Sequence, residues 1–190
     1  MGILWFLIWK TEIRWLAVLT IFVAAPMLVS IQEPDILFSR SGNLYLIRHN
    51  ETLLVSTRRA DRFERERWGL LYGEELVDKV DDFTGKMKGL ACDISGCILS
   101  RDQQLVAFSK HRYASDLDCQ RAHILLSRHP VGRTCRHPDI VVDKFDLWRE
   151  GTHAFYLSKA GKVRIETVNA VRGNRLWVPV RYRQATGIER

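Results

Sequence analysis

The stretch WLAVLTIFVAAPMLVSI, residues 15–31, contains no charged side chain, and its only hydroxyl groups are those of Thr20 and Ser30. Because backbone polar groups cannot stay unpaired in lipid, a run of this kind is expected to be helical. At ~1.5 Å per residue the run reaches about 26 Å, near the lower limit of length for a helix that spans a bilayer. The sequence therefore predicts a transmembrane helix at this position.

Two other interpretations of residues 15–31 are a cleavable signal peptide and a buried core helix. The small residues Ala24 and Ala25 suit a signal peptide, but Pro26 follows them directly and no A-x-A arrangement ends the run. A core helix of this length would normally carry a polar stripe, which this stretch lacks. We therefore expect an uncleaved anchor.

The charges on either side of the predicted helix indicate its orientation. Lys10 and Arg14 lie close to its N-terminal end, whereas the first bases after it, Arg40 and Arg48, lie farther away. The positive-inside rule then places the N-terminal side in the cytoplasm. We expect a single-pass protein of the inner membrane whose C-terminal part lies in the periplasm.

The sequence predicts three regions. Residues 1–33 form a membrane segment, which comprises the end of one helix at 2–9, too short to span a bilayer alone, and the spanning helix at 15–31. Residues 34–170 have a size usual for one domain. Residues 171–190 form an Arg-rich tail.

The pattern after residue 33 is typical of a β-rich mixed domain of the α+β class. Short apolar runs between turn residues predict strands at 36–38, 44–47 and 53–55. RRADRFERERWGLL, residues 58–71, has helical spacing of apolar residues and predicts an amphipathic helix. Beyond a loop at 74–88 the sequence predicts two strands within 90–109, a helix at 113–121, and strands at 123–127, 139–142, 154–157, 163–168 and 176–178.

The net charge of the chain favours a polyanionic partner. The sequence has 29 basic and 22 acidic residues, a formal charge of +7 and a pI near 9.5. From residue 171 onward five arginines face one glutamate, which gives +4 of the +7. The candidates for contacts with DNA phosphates are Arg172, Arg175, Arg181 and Arg183, with Trp177 and Tyr182 interleaved as rings that could stack on bases. The alternative is a solvated basic tail beside a membrane.

The cysteines offer two interpretations. An even number of cysteines in an exported domain is compatible with two disulfides, and their order suggests Cys92–Cys97 and Cys119–Cys135, although four cysteines allow three pairings. A metal site is the alternative, made of Cys119, His123, Cys135 and His137. The C-x4-C spacing matches no common zinc motif, so we expect no bound metal and no cofactor.

The sequence displays no catalytic motif. It has neither a G-x-S-x-G nucleophile elbow nor a phosphate-binding glycine loop, and none of its histidines stands in H-x-H-x-D-H or H-E-x-x-H. Asp143 and Asp146 follow an apolar strand beside Phe145 and Trp148, where acidic groups form either a site or, more often, caps that bind backbone N–H groups. We therefore predict that the chain is not an enzyme.

Several stretches together resemble one family. PDILFSRSGNLYLIR (34–48), RRADRFERERW (58–68), CDISGC (92–97) and LSRHPVGRTCRHPDIVVDKFDLWREGTHAFYL (126–157) are similar to the C-terminal end of alphaproteobacterial ComEC-type competence proteins. The resemblance covers nearly the whole chain. It implies an inner-membrane protein of the DNA-internalisation machinery, in which a channel core of several helices is followed, in many members, by a metallo-β-lactamase-like domain.

The chain departs from that family pattern in two ways. The resemblance implies that it starts at the last helices of the channel, and its C-terminal part lacks the histidine and aspartate ligands expected of an active metallo-β-lactamase fold. The resemblance thus implies a non-catalytic, degenerate domain of that type, with single-stranded or duplex DNA, membrane lipid and the channel portion of a split ComEC-like protein as partners. The alternatives are a metal-dependent nucleic-acid hydrolase of metallo-β-lactamase type and a purely structural domain that packs against channel helices.

Overall fold

The fold is known from a computed structural model that describes residues 32–49, 52–76, 78–83, 87–158, 161–173 and 175. The predicted transmembrane helix, the helix end before it and the strand at 176–178 lie outside these residues. In the described ranges, no helix has the length and apolar character needed to cross a bilayer. The chain divides into two units, Met1–Glu33 and Pro34–Arg190, and the elements below belong to the second.

The first sheet has five strands, and every neighbouring pair is antiparallel. Short hairpins connect three of the four pairs, and a short hairpin can join only antiparallel strands. Its spatial order is β10-β9-β1-β2-β3. The strands are β1 (Ile36–Phe38), β2 (Tyr45–His49), β3 (Thr52–Val55), β9 (His153–Leu157) and β10 (Val163–Thr167). The early strands β1 to β3 thus share a sheet with a hairpin from the end of the domain.

The second sheet has five strands in chain order, β4-β5-β6-β7-β8. They are β4 (Leu90–Cys92), β5 (Gly96–Arg101), β6 (Gln104–Ser109), β7 (Ile124–Ser127) and β8 (Ile140–Val142). The first two pairs are antiparallel, whereas β6–β7 and β7–β8 are parallel. Because β6, β7 and β8 run in the same direction, their carboxyl ends lie at one edge of this sheet, and crossover connections link them.

The described residues contain four α-helices. They are α1 (Arg62–Tyr72), α2 (Arg112–Asp118), α3 (Lys144–Glu150) and α4 (Val168–Arg172), and a 3-10 helix lies at Val80–Phe83. The α+β class and the mixture of short strands expected from the sequence are therefore confirmed.

Two details differ from the sequence-based prediction. Residues 90–109 form three strands rather than two, because the Asp93 side chain accepts hydrogen bonds from the backbone N–H groups of Ser95 (2.7 Å) and Gly96 (2.8 Å) and closes a tight turn. The helices α3 and α4 were not predicted. Each is held at its start by a side-chain cap, from Asp143 and from Thr167 respectively.

The main core lies between the two sheets. Alternation along β1 directs Ile36 and Phe38 to this core and Leu37 to the opposite face. The ring of Tyr45 stacks on Phe108 of the second sheet at 4.3 Å between centroids, and burial raises the pKa of Tyr45. Burial of each large apolar side chain contributes about 1.5–3 kcal/mol, so this interface is the main source of stability.

Helical segments cover the outer faces of both sheets. Trp68 of α1 packs in a buried cluster with Leu37 and Leu46 of the first sheet. Cys119, which follows α2, packs with Ala107 and Leu125 of the second sheet. The domain therefore has four layers in the order helix, sheet, sheet, helix.

The structure pairs all four cysteines. Cys92 and Cys97 join β4 to β5 as directly opposed residues, with their Cα atoms 4.0 Å apart. Cys119 and Cys135 join the end of α2 to the loop before β8, with Cα atoms 5.6 Å apart. The pairing suggested by the order of the cysteines is thus the one that the structure contains.

Candidate nucleic-acid interface

The carboxyl ends of the parallel strands β6, β7 and β8 form the edge of the domain where a ligand-binding site is most expected. Ser109 at the end of β6 is in register with Ser127 at the end of β7, and Asp143 follows β8 beside them. In open α/β sheets, ligands bind in the crevice outside the carboxyl ends of the strands, and β6, β7 and β8 present the corresponding edge here. The residues that follow each strand at this edge are therefore candidates for a site.

A cleft of about 140 Å³ opens at this edge of the domain. Its floor is apolar, formed by Phe38, Tyr45, Phe108 and Leu126. Its rim is polar and contains two cations, and the rim residues are Asn43, Ser56, Thr57, Ser109, Lys110 and Arg128. The rim combines hydrogen-bond donors with positive charge, which are the groups that hold phosphate oxygens.

Both rim cations are partly exposed and are held by neighbouring groups. Arg128 donates from Nη1 to Oδ1 of Asn43 (3.2 Å) and from Nε to Nε2 of His129 (3.2 Å). Lys110 Nζ lies 3.5 Å from Oδ1 of Asp81, a carboxylate that is itself half exposed. Because neither partner of Arg128 is a carboxylate, these contacts position its guanidinium without neutralising it.

The absence of a side chain at Gly42 allows the Cα and Cβ atoms of Arg128 to pack closely against the Gly42 backbone. Its φ is +70°, and a Cβ atom placed on it would lie 2.7 Å from Cβ and 2.9 Å from Cα of Arg128, and 3.2 Å from Cδ1 of Leu147. Only glycine satisfies both the backbone conformation and this contact.

We expect Gly42→Ala to lower the free energy of unfolding by about 2 kcal/mol, because strained backbone and overpacking act together. Gly73→Ala is the matched control, since Gly73 has φ +69° but no atom within 4 Å of the added Cβ. It should cost only the backbone part, about 1 kcal/mol. Urea unfolding of both variants measures the difference, and equal losses would contradict a steric role for Arg128.

The two acidic residues beside β8 act as caps. The Asp143 side chain accepts from the N–H groups of Phe145 (2.7 Å) and Asp146 (3.3 Å), and Asp146 Oδ2 accepts from Asp143 N (3.0 Å). This reciprocal capping box starts α3. Asp143 Oδ2 also accepts from the N–H of Val131 at 3.1 Å, which ties the preceding loop to the helix.

The arginines predicted to contact DNA are only partly described. Arg172 is the last residue of α4 and is exposed, and Arg175 is exposed as well. Arg181 and Arg183 lie outside the described residues, as do Trp177 and Tyr182. The residues of the cleft were not singled out from the sequence, because Asn43, Ser56, Lys110 and Arg128 come from four separate segments.

The structure does not bring the alternative metal set together. Cys119 and Cys135 share a disulfide, Nδ1 of His123 accepts from Leu105 N (3.1 Å), and Nδ1 of His137 lies 3.3 Å from the Ala122 carbonyl oxygen. Among the described residues one group has donor atoms close enough for a metal ion, Asp81 with Cys92 and Cys97. Its sulfur atoms are joined to each other, so they are not the thiolates that bind metals.

A second cavity, of about 330 Å³, lies beside the Cys92–Cys97 disulfide and has an acidic lining. Asp93, Asp118 and Arg121 border it, so its two carboxylates outnumber its one cation. Burial raises the pKa of the Asp118 carboxyl, and a hydrogen bond from Ser109 Oγ opposes this shift. Carboxylates make this cavity a poor place for a polyanion.

Comparisons of the chain with protein-family models, with curated proteins and with solved structures each find no match.

Proposed function

We propose that this chain is the membrane-anchored C-terminal part of a ComEC-like DNA-uptake channel protein and that its domain is non-catalytic and contacts DNA. The resemblance of four stretches between residues 34 and 157 supports the family, and the flanking charges support an inner-membrane anchor with the domain in the periplasm. The observation that carries DNA contact is the cation-bearing cleft at the carboxyl edge of the parallel strands.

We further propose that the domain is a degenerate metallo-β-lactamase-like domain. Two sheets between outer helices are compatible with that fold. The segment TRRADR, residues 57–62, follows β3 and matches H-x-H-x-D-H only at Asp61, because threonine and arginine occupy the histidine positions. Asp61 Oδ2 accepts from the hydroxyl groups of Ser39 (3.2 Å) and Ser41, so this carboxylate holds a turn.

The contact proposed for the cleft is with the phosphate backbone and not with the hydrogen-bonding edges of bases. Lys110 and Arg128 on the rim would each displace counterions from a phosphate, and Arg172, Arg175, Arg181 and Arg183 would add further non-specific contacts. Affinity should then be independent of sequence and should fall steeply with salt.

Substitution of the rim cations tests DNA contact directly. We expect Lys110→Ala and Arg128→Ala each to weaken DNA binding by a similar factor for all sequences and to reduce the slope of log K against log salt by about 0.7–0.9. Fluorescence anisotropy of labelled oligonucleotides with the detergent-solubilised full chain, at several salt concentrations between about 50 and 200 mM, measures both quantities.

Lys162→Ala is the matched control, because Lys162 is exposed in the turn between β9 and β10 and does not border the cleft. This variant should bind as the wild type does. A wild-type chain that binds no DNA even at the lowest salt concentration, about 50 mM, would rule out the DNA-contact role.

A second candidate function is structural packing against channel helices supplied by another polypeptide. The exposed apolar side chains of Ile94 and Leu117 near the acidic cavity favour this candidate, since such residues often mark contact surfaces. It requires co-purification with a channel polypeptide and no affinity for DNA, which separates it from the first proposal.

A further inference from the structure

The outer face of α3 presents two aromatic rings between two cations. Phe145 is 53% exposed and Trp148 is 52% exposed, whereas Leu147 on the opposite face is buried. At about 100° per residue, Lys144, Trp148, Phe145 and Arg149 follow one another around the exposed side of the helix. Large aromatic side chains normally contribute to a core, so two left half exposed on one short helix need an explanation.

The helix that carries these rings is firmly held. The capping box at Asp143 fixes its start, and its last turn is bound through a hydrogen bond from Asn169 Nδ2 to the Arg149 carbonyl oxygen. Leu147 packs into the core cluster. The rings therefore stand on a rigid support, which lowers the entropic cost of binding a planar partner.

The helix adjoins the rim of the cleft. A Cβ atom placed on Gly42 would meet both Arg128 and Leu147, and the N–H of Val131 binds the cap residue Asp143. The loop at 128–138 contains three arginines and no acidic residue. Positive charge thus continues from the cleft to the side of α3.

The acidic groups of α3 itself are engaged. Asp146 belongs to the capping box and also accepts from Arg149. Glu150 faces His153 at 3.5 Å, and hydrogen bonding to His153 lowers the pKa of the Glu150 carboxyl. Lys144 is exposed and forms no ion pair with any described residue.

Other exposed rings have less suitable surroundings for a polyanion. Phe63 on α1 is 70% exposed, but glutamates alternate with arginines along this helix, and the Arg67 guanidinium already lies 5.7 Å from the Phe63 ring centroid. Tyr113 on α2 is 61% exposed and borders the acidic cavity with Asp118. Within the described part of the chain, α3 is where half-exposed rings coincide with a continuous basic surface.

We infer that α3 and the rim of the cleft form a binding platform for single-stranded nucleic acid. Bases stack on Phe145 and Trp148, and the phosphates that link them contact Lys144 and Arg128. Stacked bases in a duplex do not offer their faces to side chains, so this platform selects single strands. The inference rests on the proposed function and deepens it, because it names the form of nucleic acid that the site takes.

The test compares a ring-deleted variant with the wild type. In the detergent-solubilised full chain, Phe145→Ala combined with Trp148→Ala should weaken binding of a labelled single-stranded oligo-dT by about 25-fold or more, since each stacked base is worth about five-fold or more. Binding of a duplex of the same length should change less than about two-fold. Trp148→Phe, which retains an aromatic face, should keep most of the affinity for oligo-dT.

Two controls distinguish loss of stacking at α3 from general effects of removing an exposed ring or of unfolding. Phe63→Ala and Tyr113→Ala remove exposed rings that do not border the cleft, and both variants should leave both affinities unchanged. If circular dichroism shows that the double variant is unfolded, the test uses tryptophan fluorescence of the wild type and of Trp148→Phe instead. The quenching by oligo-dT should then be larger in the wild type than in Trp148→Phe, and equal quenching in the two proteins would overturn the platform.

The outcomes separate this inference from the proposed function. A double variant that is folded and keeps the wild-type affinity for oligo-dT overturns the platform while leaving DNA contact intact. A wild type that binds neither oligo-dT nor duplex overturns both. Loss of binding to phosphatidylglycerol vesicles in the double variant, with oligo-dT binding unchanged, would assign the rings to a lipid surface and overturn the inference.

Discussion

Replacing Asp35 with alanine is expected to lower the free energy of unfolding by about 3–5 kcal/mol, one of the two largest stability effects that we predict for this domain. The carboxylate is buried, and its Oδ1 accepts from Nη2 of Arg48 (3.1 Å) and from Nη1 of Arg101 (3.2 Å). Its Oδ2 accepts from the backbone N–H of Leu157 at 2.8 Å. One side chain thus connects β1 with β2, β9 and β5, and therefore joins the two sheets.

The size of the effect follows from the groups that the substitution leaves behind. Arg48 and Arg101 are each only about one-third exposed, with side-chain exposures of 30% and 31%, so they would lose a counter-charge that solvent replaces incompletely. The N–H of Leu157, a half-buried residue, would lose its partner as well, which costs up to about 1 kcal/mol at such a site. Asp35→Asn keeps an acceptor for Leu157 and should therefore be less destabilising than Asp35→Ala.

Urea unfolding of the two Asp35 variants measures these losses. Asp82→Ala is the matched control, because Asp82 also pairs with an arginine, Arg58, at 3.6 Å, but both side chains are at least half exposed. It should change the free energy of unfolding by less than about 1 kcal/mol. If Asp35→Ala is no more destabilising than Asp82→Ala, the buried junction does not hold the sheets together.

The strands could be predicted well because each shows a local pattern. Short apolar runs form β1, β2 and β3, and turn residues separate these runs from one another. The turn at Asp93 was missed because it depends on one side chain that binds two backbone N–H groups. Helix α3 has only 7 residues, too few to show a helical period, although the Asp143 and Asp146 capping signature is present in the sequence.

The candidate site was harder to predict than the strands, because its residues are distant in the sequence and come together only in the fold. The arginines after residue 171 are close together in the sequence, so their local charge density predicts a DNA contact. The rim cations Lys110 and Arg128 belong to separate segments and give no such local signal. They meet because β6 and β7 are parallel and end at the same edge. Parallel pairing is a non-local property, so the sequence pattern alone does not reveal it.

Removal of the Cys119–Cys135 disulfide is the other prediction with a large effect. The bond closes a loop with a sequence separation of 16 residues, for which the chain-entropy relation gives a loss of about 3 kcal/mol. The Cys92–Cys97 bond closes a separation of only 5 residues and is worth about 2 kcal/mol in the same relation. We therefore expect Cys119→Ala with Cys135→Ala to be more destabilising than Cys92→Ala with Cys97→Ala.

Urea unfolding ranks the two double variants, and limited trypsin digestion locates the consequence. The Cys119–Cys135 bond fastens the segment with the exposed residues Arg133 and Arg136 to the end of α2, so trypsin should cut this segment faster in that variant than in the wild type. The Cys92–Cys97 variant provides the control, because its disulfide joins two strands that are already hydrogen-bonded neighbours. Equal stabilities and equal cleavage rates would mean that packing of Val131 and Cys135 on the second sheet, and not the covalent link, holds the loop in place.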